Sequence, residues 1–507
     1  MALTKTLITN IRGIQGHSVS TASIEEDDHL RLTLTSGDTV DAGVARGPQG
    51  LAGVNAVEND TAVAGYISTT GTSATKTALD AALGAFVAPA LVPVSLASLR
   101  VPRFFPLPAS LSFPRAVSIY RDALGVYHTD VDPESLHTPG AGPTYYVDQA
   151  IGSNSNDGLS WATPFADPGY ASLKNSSNGT TILIKAGHYN RSSIPAIRNK
   201  NLAIKAFPGD RVIITACDVL TGWGTAGGGA YITTQATVNG VLDKKRLDAR
   251  GEPKDLTNAA SSAAVIATPG TWYTDGTSVW VNLTDGRVPD THVLVSRSVN
   301  MLRYDGAYTG DGGSLYLEGL EFWGGTTSNF TATGATQRLY AKNTKFKYAQ
   351  TTNGLSVLGL SEVVLVGGEA SFNYLDGFSY HDNAGRTGVV IEVDCVGYSN
   401  GKIVGSQNGS TTHETYKTVR VGGVHSGNQG ANIADVNSTK SFNVGVRAGD
   451  SLDYKQDFFG ADMILVECES SSDTAFASDP SAPDGVGSVR VRDGLSIGGT
   501  TGSVTAY

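Results

Sequence analysis

The chain has 507 residues, with 37 Lys and Arg against 47 Asp and Glu and a net charge of −10. That acidity makes the chain a poor candidate for non-specific nucleic-acid binding, because phosphate contacts need clustered basic groups. Glycine occupies 61 positions, well above the usual share of roughly 7%, and charged residues reach only 17% against about 25%. A chain so rich in glycine and so poor in charge is expected to hold many turns and short strands under a Ser, Thr and Asn surface.

The first zone, residues 1–53, has two alternating runs, His29–Leu34 and Thr39–Val44, around the turn Ser36-Gly37-Asp38. Leu30, Leu32 and Leu34 alternate with polar neighbours, so a half-buried hairpin is expected. Gly47-Pro48-Gln49-Gly50-Leu51-Ala52-Gly53 follows, with glycine at every third position. Only glycine fits at the axis of a collagen triple helix, so the segment is either a Gly/Pro linker or a short three-chain neck. Residues 54–142 form the second zone. Helical spacing runs through Asn55–Ser68 and Thr75–Ala88, and Pro93, Pro102, Pro106, Pro108 and Pro114 then predict an extended connector.

The third zone, residues 143–507, carries a repeat. Apolar strand centres fall at Leu315, Leu339, Val364, Val390, Val419, Phe442, Ile464 and Val489, with spacings of 24, 25, 26, 29, 23, 22 and 25. One apolar strand per near-constant period, with glycine and asparagine between and no helical periodicity, predicts a β-solenoid. A second strand repeats too. Asn353-Gly354 aligns with Asp376-Gly377, Asn408-Gly409 and Gln429-Gly430, each opening a strand at a corner.

Cys217, Cys395 and Cys468 are odd in number and far apart, which excludes a disulfide framework or a CxxC metal site. They are expected to be small buried core residues. No phosphate-binding loop, nucleophile elbow or EF-hand spacing occurs; the acidic run Glu25 to Asp28 lacks that spacing. No cofactor and no metal are therefore expected. Met1–Gly13 has no apolar signal-peptide core, and the uncharged stretch Ala81–Ala97 contains Pro89 and Pro93. A soluble protein assembled inside a cell, without membrane insertion, is expected.

Tyr145-Tyr146-Val147, with Asn156-Asp157-Gly158 and Trp161-Ala162-Thr163-Pro164-Phe165, resembles the entry cap of right-handed parallel β-helix proteins. Asp376–His381, Ser410–Glu414 and Gly430–Asp435, with Asn443-Val444-Gly445-Val446 and Asp450-Ser451, resemble the β-helix tail proteins of tailed bacteriophages. Residues 46–53, with Asn55–Asp60 and Ala64–Ile67, look like the virion-attached end of phage minor tail proteins. The resemblance implies an all-β fold: a right-handed parallel β-helix (β-solenoid) behind a small N-terminal attachment region and a collagen-like neck. It also implies a homotrimer in the phage virion, assembled in the host cytoplasm and docked to other tail or baseplate proteins. Its β-helix would be presented to a host-surface glycan.

The repeat alignment places His381 and His413 on adjacent coils and puts Asp382, Glu414 and Asp435 in a neighbouring column. Strict alternation would set the two columns on opposite faces. Closely spaced carboxylates raise the pKa of at least one, which is what a general acid in glycan cleavage needs. The same column read as a corner ladder would only satisfy backbone N–H groups. Aromatic residues crowd the same region. Phe346, Phe372 and Phe378 are expected in the core, and Tyr374, Tyr380, Tyr398 and Tyr416 are expected to offer flat faces to sugar rings. Two functions follow: a structural and host-recognition tail protein without enzymatic activity, or a tailspike depolymerase, hydrolase or lyase, of a surface polysaccharide. If the Gly-X-Y segment is a neck, the full-length protein sediments as a trimer at micromolar concentration; a stable monomer there would rule the neck out.

Overall fold

The computed structural model describes three strands between residues 19 and 44, and residues 102–492 except 139, 174–178, 191–193, 198–200, 307–312, 333–336, 403–404, 406, 453–455, 472–473 and 484–486. The Gly47–Gly53 segment, the helices expected at 55–68 and 75–88, and the acidic run at 25–28 lie outside the described residues. The chain divides into two units, Met1–Leu96 and Ala97–Tyr507. In the first, the expected hairpin is present: His29–Leu34 pairs antiparallel with Thr39–Val44, and Val19–Ile24 adds a third strand.

The second unit is a parallel β-helix. Its strands form one sheet of eleven and two sheets of nine, each strand pairing with the equivalent strand of the next coil, so the helix makes about eleven turns. One turn runs Phe378–His381, Val389–Val393, Val396–Tyr398 and back to Ser410–Thr412. At the entry end Thr144–Val147 starts the large sheet, Phe165 is buried, and the short helix Pro168–Leu173 covers the opening.

All eight apolar centres lie in strands of the large sheet, but they occupy two columns. Leu315, Leu339, Val363 and Val390 are register partners and face the interior core. Tyr340, Val364, Ile391, Val419 and Phe442 form the adjacent, outward column. Both are apolar because the outer face is covered as well. Residues 102–137, which begin within the expected Pro-rich connector ending at Pro114, lie along it as a strap, seating Phe105, Leu111, Ile119 and Val131 on the column. Arg115 clamps Glu362 with two bonds of 2.7 Å, and Tyr340 donates to the same carboxylate. Strands buried on both faces read as unbroken apolar runs, so the pattern leaves the column ambiguous by one residue.

A second departure is an inserted domain. Between Val212–Thr215 and Leu302–Gly306 the chain leaves the helix and builds two sheets from residues 217–297, antiparallel except where Thr257–Asn258 runs parallel to Thr271–Thr274. It docks on the outer face of a nine-stranded sheet through buried Lys347, which meets Glu252 at 2.8 Å and Glu369 at 3.1 Å. Tyr348 donates to the Pro253 carbonyl there, and Lys402 pairs with Asp255.

The corners are held by side-chain amides. Asn373, Asn400 and Asn428 stack on successive coils, all buried. Asn373 Nδ2 donates to Asn400 Oδ1, and Asn400 Nδ2 to Asn428 Oδ1, each at 2.9 Å. Backbone N–H groups of Ala349, Asn373 and Asn400 donate to Oδ1 of Asn373, Asn400 and Asn428 respectively. Gly377 and Gly409 sit against this ladder so closely that an added Cβ would lie 2.8 and 2.7 Å from the Asn400 and Asn428 amides, which is why each strand opens with glycine. The three cysteines are buried thiols. Asn400→Ala leaves several buried donors and acceptors without partners, at about 1–3 kcal/mol for each orphaned group. The variant should melt several degrees below wild type; an unchanged melting temperature would show that the ladder contributes nothing.

Candidate functional site

The strands Phe378–His381, Ser410–Thr412, Ile433–Asp435 and Gln456–Gly460 stack in parallel in one nine-stranded sheet. Alternation divides their side chains. Tyr380, Thr412 and Asp435 are register partners on one side, and Ser379, Thr411, Ala434 and Phe459 on the other. Thr411, Ala434 and Phe459 of the second column floor a groove of about 500 Å³ on the outer face. Asp376 and Asn408 wall it where the strands begin, His413 and Val436 where they end, and Pro480 and Ser481 close one side.

Asp376 accepts from the Asn408 backbone N–H at 2.6 Å and from Asn408 Nδ2 at 3.2 Å. The residue retains some exposure, but its carboxyl is enclosed by protein. That desolvation pushes its pKa up to about 7, against the opposing pull of the Asn408 bonds. A carboxyl poised near neutrality at a groove wall can both give and take a proton at working pH. Sequence reasoning assigned Asp376 only a corner role; the available signal was an acid where the neighbouring coils have Asn353 and Asn408.

His381 and His413 do stack on adjacent coils, with ring centroids 4.0 Å apart and an interplanar angle of 15°. Burial first, then the neighbouring His381, lowers the His413 pKa to about 4, so its imidazole is neutral. Thr411 Oγ1 lies 3.1 Å from His413 Nε2. The expected separation of histidine and acid faces does not occur. The strand ends at Thr412, and Glu414 adopts a left-handed backbone with φ of 55°. Its carboxylate consequently meets His381 Nδ1 at 3.3 Å and accepts from the Asp382 N–H at 3.0 Å.

The expected acid column Asp382, Glu414, Asp435 is not formed. Asp435 pairs in register with Thr412, and the Glu414 N–H donates to Asn437 Oδ1. The true alignment is shifted by two residues, a slip that preserves the in-and-out pattern and so leaves no trace in it. Asp435 is wholly buried and holds Arg420 at 2.8 and 2.9 Å inside the helix, with Glu392 on the guanidinium's other side. This charge is paired, as a buried one must be.

The tyrosines expected to bind glycan are mostly committed elsewhere. Tyr380 and Tyr416 are fully buried core residues, donating to Glu392 and to the Leu360 carbonyl. Tyr398 lies under the Arg250 guanidinium at 4.3 Å and donates to Glu369. Tyr374 is half-buried at another corner, outside the groove lining. Of the expected core rings, Phe346 and Phe378 are interior, whereas Phe372 stands outside in an aromatic row between Tyr348 and Tyr398, with 5.3 Å spacings.

No protein-family model matches the chain, and no curated protein does. Among solved structures, the complex of XylC with xylose aligns over 71% of this chain and 70% of its own, at 12% identity and a TM-score of 0.47. The pectate lyase Pel9A aligns over 73% and 80% at 12% identity and a TM-score of 0.34. A rhamnogalacturonan lyase aligns over 65% and 74% at 14% identity and a TM-score of 0.34. The parallel β-helix rests on the strand pairing itself.

The Asp376 carboxyl gives a pH test. Its folded pKa lies above its unfolded value of about 3.9, so the folded state binds more protons between about pH 4 and about pH 7, and this group's stabilisation is lost as pH rises. Asp376→Asn removes that loss. The melting temperature of the variant relative to wild type should climb across this window; a constant difference would mean Asp376 titrates normally.

Proposed function

We propose that this chain acts on a cell-surface polysaccharide, with the groove over Thr411, Ala434 and Phe459 as its glycan site and Asp376 as the proton-transferring group. The carrying observation is the placement of Asp376: an enclosed carboxyl that accepts from the Asn408 backbone and side-chain amides, at the wall of a groove on a stacked sheet. Such a surface matches a repeating polymer, since successive coils present equivalent positions at about 4.8 Å intervals. Glycan cleavage, by hydrolysis or by elimination, needs a group that exchanges a proton with the leaving oxygen or the ring carbon.

A second reading, glycan recognition without cleavage by a phage tail protein, is supported by the order of the sequence segments: hairpin region, Gly-X-Y segment, β-helix body. In it the body is a right-handed helix, the hand that parallel crossover connections strongly favour. Three chains join at the neck, and the N-terminal region docks on other tail or baseplate proteins of the virion.

Incubation of the purified full-length chain with envelope polysaccharides of candidate host bacteria separates the readings. Cleavage should appear as new reducing ends, or as unsaturated ends in elimination. Asp376→Asn should slow it about 10²- to 10⁴-fold while leaving glycan binding in place. Binding without cleavage would favour the second reading, and neither binding nor cleavage across the panel would overturn both.

A further inference from the structure

At the end of the groove, two neighbouring coils bring three metal-binding groups together. His381, His413 and Glu414 each offer a ligand atom within 4.8 Å of the others, and all three are half-buried. Nothing in the sequence spacing of a single coil announces this set, because 32 residues separate the two histidines. The stacked register brings the imidazoles together, and the left-handed backbone at Glu414 turns its carboxylate back toward them.

We propose that His381, His413 and Glu414 bind a divalent transition-metal ion of the Zn²⁺ class. Two imidazoles and one carboxylate are the donor set such borderline cations take, usually with a fourth place left to water. Calcium and magnesium want oxygen ligands and octahedral or larger shells, which this trio does not supply. The surroundings suit a cation. Asp382 adds a second carboxylate, with Oδ2 accepting from Thr415 at 2.6 Å and Oδ1 buried with no hydrogen-bond partner among the described residues. Thr411 Oγ1 beside His413 Nε2 is the kind of outer contact that orients a metal-binding imidazole. Asn437 Oδ1, accepting from the Glu414 N–H, anchors the backbone that presents the carboxylate. A bound ion would tie two coils together and take the place of the contact between His381 Nδ1 and Glu414 Oε1. The assignment does not depend on the glycan reading.

The test uses metal-stripped full-length protein titrated with Co²⁺ and Zn²⁺, with Ca²⁺ as control. The trio predicts one Co²⁺ per chain with ligand-field absorption of a low-coordinate N/O site. It also predicts a melting temperature that rises with Zn²⁺ and not with Ca²⁺, since a ligand binding only the folded state stabilises it. In His413→Asn and Glu414→Gln the Co²⁺ affinity should fall more than about tenfold. If His413→Asn proves unfolded before metal is added, His381→Asn is measured in its place. Absence of Co²⁺ binding by wild type, or equal binding by folded variants lacking one of these ligands, would overturn the proposal. Metal binding is read by absorption and melting temperature, and the reducing-end assay is read separately on wild type and Asp376→Asn, so failure of one proposal is distinguishable from failure of the other.

Discussion

Everything in this body follows from turn-to-turn pairing of parallel strands. Once each strand must offer its N–H and C=O groups to an equivalent strand about 4.8 Å away, every side chain acquires a partner of the same position on the next coil. Columns therefore become the unit of chemistry. An apolar column makes core, an asparagine column makes a corner, and a column of titratable groups makes a site. The interior accepts a charge only where the column allows pairing, as with Arg420 between Glu392 and Asp435.

The corners show how one geometry serves two ends. Stacked amides from Asn373, Asn400 and Asn428 satisfy backbone groups that a turn would leave open. That demand fills the interior of the corner and forces glycine at positions 377 and 409. One strand away, where chains leave the sheet rather than enter it, the same stacking brings imidazoles to 4.0 Å and sets a carboxylate among them. Stability and reactivity are thus neighbours in the repeat, separated by the length of a strand.

Covering also shapes the site. The strap of residues 102–137 protects the large sheet, and the inserted domain covers part of one nine-stranded sheet. The other nine-stranded sheet carries the groove, where small residues such as Thr411 and Ala434 leave room for a ligand. Asp376 sits where coverage and openness meet, enclosed enough to hold its proton near neutrality.

The solenoid was legible in the amino-acid sequence because its signal is long-range and redundant: apolar residues recurring every 22 to 29 positions, glycine opening each second strand. The buried cysteines were legible from the apolar runs beside them, and the stacking of His381 on His413 from the matching strand openings Asp376-Gly377 and Asn408-Gly409, each five residues before its histidine. What tertiary structure decided was parity, register and coverage. A double-buried strand hides which face is inner, so Val364 and Leu315 read alike although they face opposite ways. A two-residue slip preserves alternation, so Asp435 passed for a partner of Glu414 while lying inside with Arg420. Strand ends obey no alternation, so only the backbone turn at Glu414 put acid and histidine together. Asp376 looked like any polar corner residue, because enclosure of a carboxyl depends on which segments from other coils come to lie beside it.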